Sequence, residues 1–172
     1  LGGFKTAIYV TTDRASIDCF VNNENVDAPF RGYQEGGAKP EAKQEWMPKQ
    51  DWLATTEQSL RYYLIKDGTQ FPNADPPELI IIDECEAVAM NILNPNSMRS
   101  AHVLYDMCER AKAVLMLDAD ITDGVTGFLA ESLADQSGKE TKVLLNRFDW
   151  NSEKRIYILK SEIQAYRQIA AS

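Results

Sequence analysis

The sequence predicts an α/β domain built on a parallel β-sheet, because two strand-like segments share one design. Leu79–Ile82 is an unbroken apolar run with three isoleucines, and it leads directly into Asp83 and Glu84. An apolar run without alternation is typical of a strand buried on both faces, as in a parallel sheet covered by helices. Ala113–Leu117 repeats the pattern and leads into Asp118. One helix-length segment separates the two, so they form a βαβ unit whose acidic ends lie at the same end of the sheet.

Length and composition indicate one globular domain. The chain has 172 residues, of which 44% are hydrophobic, so it can bury a substantial core. No apolar run approaches the ~20 residues that a membrane-spanning helix needs, and the first residues contain no secretory signal. The three cysteines are odd in number and scattered, which favours reduced thiols in a cytoplasmic compartment. The formal net charge is −8, so a nucleic-acid partner would have to bind at a local patch or mainly at another domain.

The first elements are a strand and a capped helix. Lys5–Thr12 is rich in β-branched and aromatic residues and predicts a strand. Thr12 or Asp13 can cap the next helix, whose apolar face is formed by Ile17, Phe20 and Val21. Gly2–Thr6 resembles a phosphate loop only superficially, because such a loop follows a strand and opens a helix.

Residues 22–50 are polar and contain several glycines and prolines, so we interpret them as a loop insertion. Lysines near Trp46 and Trp52 permit a stacking and phosphate-binding patch for single strands. The interspersed glutamates favour the alternative, a solvated loop.

The remaining elements follow from apolar runs and caps. His102, the single histidine, has no nucleophile or metal-binding group near it in sequence, and we interpret it as a surface or packing residue. The other predicted elements are strands at 51–56, 141–146 and 155–159 and helices at 56–65, 87–93, 125–133, after Ser97 and from Ser161 to Ile169.

The acidic ends permit nucleotide chemistry. Mg²⁺ binds through one or two carboxylates plus substrate phosphates, and Asp83 can serve in this way. Glu84 can orient or deprotonate a water that attacks a phosphate. The alternative is an acidic turn after a core strand. Thr12, Arg14 and Ser16 lie at a strand end and a helix N-terminus, where an anion such as a nucleic-acid phosphate is favoured; an ordinary capped helix explains them equally well.

The order of these segments resembles the first RecA-like domain of a superfamily 2 helicase, nearest to the origin-binding-protein helicases of herpesviruses, phages and plasmids. Tyr9–Ile17 resembles motif Ia, and Thr55–Leu60 is similar to the following Ser-Leu segment. Ile80–Glu86 matches motif II, the Walker B box of Asp-Glu type. Val114–Asp120 is similar to motif III of this group, with Asp-Ala-Asp in place of the commoner Ser-Ala-Thr. The resemblance covers roughly residues 7–158.

The resemblance implies a RecA-like three-layer sandwich of the P-loop NTPase type, with ATP and Mg²⁺ as cofactors. It also implies ATP-driven unwinding of nucleic acid, with DNA preferred over RNA, in DNA replication. Asp83 would coordinate Mg²⁺ and Glu84 would activate water. The remaining implied residues are Asp118, Ala119, Asp120 and Thr122 for motif III coupling, and Thr12, Arg14, Ser16 and Ser59 for nucleic-acid binding.

The sequence departs from this family in two ways. It has no phosphate loop and no second RecA-like domain with an arginine finger, so we expect that the chain alone does not turn over ATP. We therefore assign residues 1–160 to a partial RecA-like domain, with 22–50 as an insertion, and 161–172 to the connection to a second domain.

Two other functions stay open. The chain can be a catalytically silent α/β interaction module whose acidic surface binds a basic partner, although a scaffold needs neither Asp83 nor Glu84. It can also be a metal-dependent nuclease or phosphatase that uses Asp83, Glu84, Asp118 and Asp120 as a two-metal cluster.

Overall fold

The computed structural model describes residues 3–24, 26, 29–63 and 76–118, the strands 143–147 and 155–159, and residues 127, 130–131, 134–135 and 138. The chain divides into two compact units, Leu1–Leu129 and Ala130–Ser172. The helices and strands are β1 (Ala7–Thr11), α1 (Arg14–Val21), β2 (Arg31–Gly32), α2 (Pro40–Trp46), β3 (Trp52–Thr56), β4 (Leu79–Asp83), α3 (Cys85–Ile92), α4 (Met98–Arg110), β5 (Ala113–Leu117), β6 (Val143–Arg147) and β7 (Arg155–Leu159). Four 3₁₀-helices span Tyr33–Gly36, Met47–Lys49, Glu57–Tyr63 and Pro95–Ser97.

The first unit is built on a five-stranded sheet in the order β2-β3-β1-β4-β5. All of its strand pairs are parallel. β4, the strand that ends in Asp83, lies between β1 and β5, as expected for a run that is apolar on both faces. The predicted fold class, an α/β fold with a RecA-like parallel sheet flanked by helices, is therefore confirmed.

Both faces of the three central strands, β3, β1 and β4, are largely buried, whereas β5 is half-buried. On one face, Ile17 and Phe20 of α1 pack against alternate strand residues, namely Ala7, Tyr9, Ala54, Leu79 and Ile81. Neighbouring side chains of a strand point to opposite faces. On the other face, the apolar residues of these three strands are at most 4% exposed: Ile8, Val10, Leu53, Ile80 and Ile82. α3 and α4 contribute further buried residues to the core, among them Val88 and Leu104.

The amino end of the sheet, where the strands begin, is held together by Glu78. Its Oε1 lies 2.7 Å from Nζ of Lys112, and its Oε2 accepts the Lys5 backbone N–H at 2.8 Å. The Glu78 N–H in turn donates to Oγ1 of Thr6 at 2.9 Å. The hydrogen bond from Lys112 lowers the pKa of Glu78. Lys5 and Thr6 thus lie at the opposite end of the sheet from Asp83, which agrees with the rejection of a phosphate loop there.

Residues 22–50 contain more regular structure than the sequence predicts. β2 extends the sheet beside β3, and α2 follows with Pro40 in its first turn, where a proline costs no hydrogen bond. Gly36 allows Trp46 to approach closely, because a Cβ at this position would lie 2.9 Å from the indole ring. The glycine and proline that suggested an irregular loop therefore serve local packing.

Two other predicted elements are helices of the first unit. Within the helix predicted at 56–65, residues 57–63 form a 3₁₀-helix that buries Leu60 and Tyr63. The helix predicted after Ser97 is α4, which buries Ser100, Val103 and Leu104 among others. His102 is exposed, in agreement with its interpretation as a surface or packing residue.

The second unit contains β6 and β7, which pair in antiparallel fashion. Both strands agree with predicted ones. Most of the predicted helix at 125–133, and all of 161–172, lie outside the described residues. Cys85 and Cys108 are buried, and Cys19 is exposed. In the part of the chain that the structure describes, no helix is long and apolar enough to cross a membrane.

Candidate functional site at the carboxyl end of the sheet

Asp83 and Glu84 stand where β4 ends at the carboxyl end of the sheet. Asp83 is half-buried and Glu84 is exposed. Glu84 has φ 51° and ψ 49°, and it is the only non-glycine residue with positive φ among the described ones. This left-handed conformation turns the chain abruptly from β4 into α3. A strained backbone of this kind costs free energy and is concentrated at functional sites.

β1 supplies a hydroxyl group to each of these carboxylates. Tyr9 lies beside Ile81 in the register of β1 and β4, so its ring shares a face with Asp83, two residues further along. The Tyr9 hydroxyl donates to Oδ2 of Asp83 at 2.5 Å. The Thr12 hydroxyl donates to Oε2 of Glu84 at 2.8 Å. The segment that resembles motif Ia is thereby bonded to both acidic residues of the segment that resembles motif II.

Tyr9 is a neutral donor in this arrangement. Its side chain is only 3% exposed. Burial raises the pKa of the Tyr9 phenol, and the hydrogen bond to the Asp83 carboxylate raises it further. The phenol therefore keeps its proton at physiological pH and places no charge beside Asp83.

Asp118 joins the end of β5 to α3, the helix that follows Asp83 and Glu84. β5 pairs with β4 so that Leu117 lies opposite Asp83, which brings Asp118 to the same end of the sheet, as the βαβ prediction required. Its Oδ2 accepts the backbone N–H of Glu86, in the first turn of α3, at 3.0 Å. A carboxylate at this position satisfies a free helix N–H and interacts favourably with the helix dipole. The other predicted motif III residues, Ala119, Asp120 and Thr122, lie outside the described residues.

The acidic pair receives only neutral donors. Within the described residues, the ion pairs involve other carboxylates, and neither Asp83 nor Glu84 has a lysine or arginine partner. The second oxygen of Asp83, Oδ1, accepts the Glu84 backbone N–H at 3.2 Å. The donors thus orient the two carboxylates while both negative charges are retained.

This arrangement fits a magnesium ion bound together with phosphates. In the described ranges, no group of three or more acidic, histidine or cysteine side chains is arranged to hold a metal ion. Mg²⁺ differs from metals that need such a cage, because it uses one or two carboxylates and takes its other ligands from water and phosphate. Asp83, oriented and unpaired, is a suitable carboxylate, and Glu84 is placed next to it.

The residues predicted to bind nucleic acid do not form one surface of free donors. Arg14 is exposed and lies 3.7 Å from Asp18 one helical turn away. The Ser16 hydroxyl and N–H both donate to Asp13, which is the N-cap of α1 and whose pKa they lower. Ser59 is 7% exposed, and its hydroxyl accepts the Thr56 hydroxyl at 2.9 Å. Arg14 is thus the one member of this predicted set that presents a charge to solvent.

Glu57 was not identified from the sequence, and the structure places it at the same end of the sheet. It follows β3 directly, and its side chain is 0% exposed. Its Oε1 accepts a hydrogen bond from Nδ2 of Asn91 in α3 at 3.2 Å, whereas Oε2 has no hydrogen-bond partner among the described residues. Burial raises the pKa of Glu57. Glu57 directly follows the strand predicted at 51–56, so the strand-end argument that identified Asp83 and Asp118 could have identified it as well.

The fold and site define an α/β domain with a parallel sheet and a pair of oriented, unpaired carboxylates at its carboxyl end. No family model, curated protein or solved structure matches this chain.

Proposed function

We propose that this chain is part of the first RecA-like domain of an ATP-driven helicase or translocase that acts on DNA in replication. The observation that carries the proposal is the Asp83–Glu84 pair at the carboxyl end of a central parallel strand, where hydroxyls orient it and the described residues supply no lysine or arginine partner. In open α/β sheets, ligands bind beyond the carboxyl ends of the strands.

The two carboxylates would have separate roles. Asp83 would hold Mg²⁺, which when bound neutralises charge on the nucleotide phosphates. Glu84 is exposed and next to it, and would accept the proton of the attacking water. The Thr12 hydroxyl, at 2.8 Å, keeps the Glu84 side chain on the side of β1.

The lysine that cradles the phosphates would come from outside the described residues. Lys5, which stands before β1, lies at the amino end of the sheet beside Glu78. In the complete natural protein, another segment would supply the phosphate loop.

DNA binding has weaker support than the nucleotide site. Thr12 and Arg14 belong to the segment that resembles motif Ia, and Arg14 is exposed at the start of α1. Because Thr12 bonds to Glu84, the strand that would meet DNA is connected to the residue that would activate water. This connection supports ATP hydrolysis that depends on DNA.

The test is the DNA-stimulated ATPase activity of the complete natural protein. We expect Glu84→Gln to lower the rate by at least about 100-fold, because general-base catalysis contributes roughly 10²–10⁴-fold. Glu41→Gln is the matched control, since Glu41 is an exposed glutamate in α2, remote in sequence from the acidic pair. An unchanged rate in Glu84→Gln, or no ATPase in the wild-type protein, would contradict the proposal.

One observation favours the interaction module as a second candidate. Met90, Leu93 and Met98 are 57%, 66% and 69% exposed where α3 ends and α4 begins. Clustered exposed apolar side chains are typical of protein-binding surfaces. Recovery of the same partner in a pull-down by wild type and by the Asp83→Ala variant, in a protein without ATPase activity, would favour this function.

A further inference from the structure

The Tyr9 hydroxyl has a position that packing alone does not explain. Tyr9 is in the middle of β1, a strand whose five residues are all buried. A phenylalanine would fill the same volume, so the hydroxyl has to be explained by its partner. That partner is Oδ2 of Asp83, at 2.5 Å.

The tyrosine ring is held rigidly. It stacks on Phe20 of α1 with a centroid distance of 3.8 Å and an interplanar angle of 6°. Phe20 meets Phe30 edge-on at 4.9 Å, and Phe30 meets Trp52 of β3 edge-on at 5.2 Å. This aromatic row, Tyr9–Phe20–Phe30–Trp52, fixes the ring and therefore the position of its hydroxyl oxygen beside Asp83.

A rigid donor on one oxygen restricts the whole carboxylate. The second oxygen of Asp83 accepts the Glu84 N–H at 3.2 Å, so both oxygens are oriented. A carboxylate that is already oriented loses less conformational freedom when it binds a cation. A lysine at position 9 would also orient it, but would neutralise the charge that attracts the cation.

We propose that Tyr9 is a positioning residue that orients Asp83 for the divalent cation. This inference rests on the proposed nucleotide site and adds a residue to it that the motif resemblance does not assign. Tyr9 acts through Asp83 and does not itself contact the cation.

The experiment uses Tyr9→Phe in the complete natural protein, with Tyr63→Phe as the matched control. Tyr63 is 6% exposed, and its hydroxyl donates to the Met47 carbonyl at 3.3 Å, so its removal also deletes one buried hydroxyl hydrogen bond. Mn²⁺ is the probe, and free Mn²⁺ is measured by electron paramagnetic resonance in the presence of a non-hydrolysable ATP analogue. The Mg²⁺ concentration for half-maximal ATPase is measured in parallel.

We expect Tyr9→Phe to weaken Mn²⁺ binding and to raise the half-maximal Mg²⁺ concentration by about 10-fold, because residues that orient a metal ligand typically contribute 10–100-fold. The maximal rate at saturating Mg²⁺ should fall much less. Tyr63→Phe should leave both metal constants unchanged, even if both variants melt at a lower temperature.

The outcomes separate this inference from the proposed function. If wild type binds Mn²⁺, Asp83→Asn abolishes the binding and Tyr9→Phe binds as wild type does, the positioning role is wrong and the nucleotide site stands. If Tyr9→Phe and Tyr63→Phe weaken Mn²⁺ binding equally, the effect is structural and the role is also wrong. Wild-type protein that neither binds Mn²⁺ nor hydrolyses ATP would overturn both.

Discussion

The carboxylates at the two ends of the sheet accept hydrogen bonds from different kinds of donor. At the amino end, Glu78 faces the ammonium group of Lys112 and accepts the backbone N–H of Lys5. At the carboxyl end, the donors that the described residues offer to Asp83 and Glu84 are hydroxyl and amide groups. An ammonium group neutralises a carboxylate, whereas a hydroxyl orients it and leaves its charge in place. We infer that the amino end joins the strands and that the carboxyl end is arranged to receive a cation.

The largest expected effect on stability concerns Glu57, the buried carboxylate at the carboxyl end of the sheet, and tests whether its charge has a compensating partner. Glu57→Gln should raise the free energy of unfolding at about pH 8 by about 1 kcal/mol or more, because a buried charged oxygen without a partner is costly. Folding raises the pKa of Glu57 above its ordinary value of 4.5. The contribution of Glu57 to stability is therefore fully present below pH 4.5, and it is lost as the pH rises through the raised pKa. Urea denaturation at about pH 5 and about pH 8 measures the difference.

Glu35→Gln is the control for that experiment, since Glu35 is exposed and paired with Arg31. It should not stabilise the protein at either pH. Equal stability of Glu57→Gln and wild type at high pH would mean that the buried carboxylate is compensated.

A smaller effect tests the strain at Glu84. With φ at 51°, a glycine should be accommodated better than an alanine, so Glu84→Gly should be more stable than Glu84→Ala by about 1 kcal/mol. Both variants lose the carboxylate and should have equally low ATPase activity. Urea denaturation of the two variants measures the difference, and a more stable alanine variant would show that Glu84 is not strained.

The smallest effect is expected at the amino end. Glu78→Gln should lower the melting temperature slightly at neutral pH and leave the ATPase rate unchanged, because exposed ion pairs contribute little. The lowered pKa of Glu78 means that its contribution is present above its ordinary pKa and is lost as the pH falls, so the two proteins should converge in acid. Thermal melts of both proteins at neutral and acidic pH measure this. A large loss of ATPase activity in Glu78→Gln would contradict the difference in role between the two ends of the sheet.

The central strands were predictable because their sequences are unusual. Leu79–Ile82 and Ala113–Leu117 are apolar on both faces, which is typical of strands in a covered parallel sheet. β2 was not predicted, since two residues carry no periodicity. The spacing of Leu60 and Tyr63 suits both an α-helix and a 3₁₀-helix, so the sequence predicted a helix at 56–65 but not its type. Residues 57–63 form a 3₁₀-helix.

The carboxylates of the site were predictable, but their hydrogen-bond donors were not. Asp83, Glu84 and Asp118 follow strand ends, and parallel strands bring such ends together. The contact from Tyr9 depends on the register of β1 against β4, which no local pattern encodes. One signal was present, because a tyrosine within a buried strand needs a partner for its hydroxyl.

The short β2 strand also affects the behaviour of the protein in concentrated solution. The segment around Ile81, rich in isoleucine, is of the kind that joins with other chains into aggregates. In the folded first unit it is paired on both sides, with β1 and β5. The edge strand next to β3 is β2, which has two residues. One of them, Arg31, is exposed and charged. An edge this short and charged gives another chain few backbone groups to bond with, and so protects the folded protein from self-association along that side.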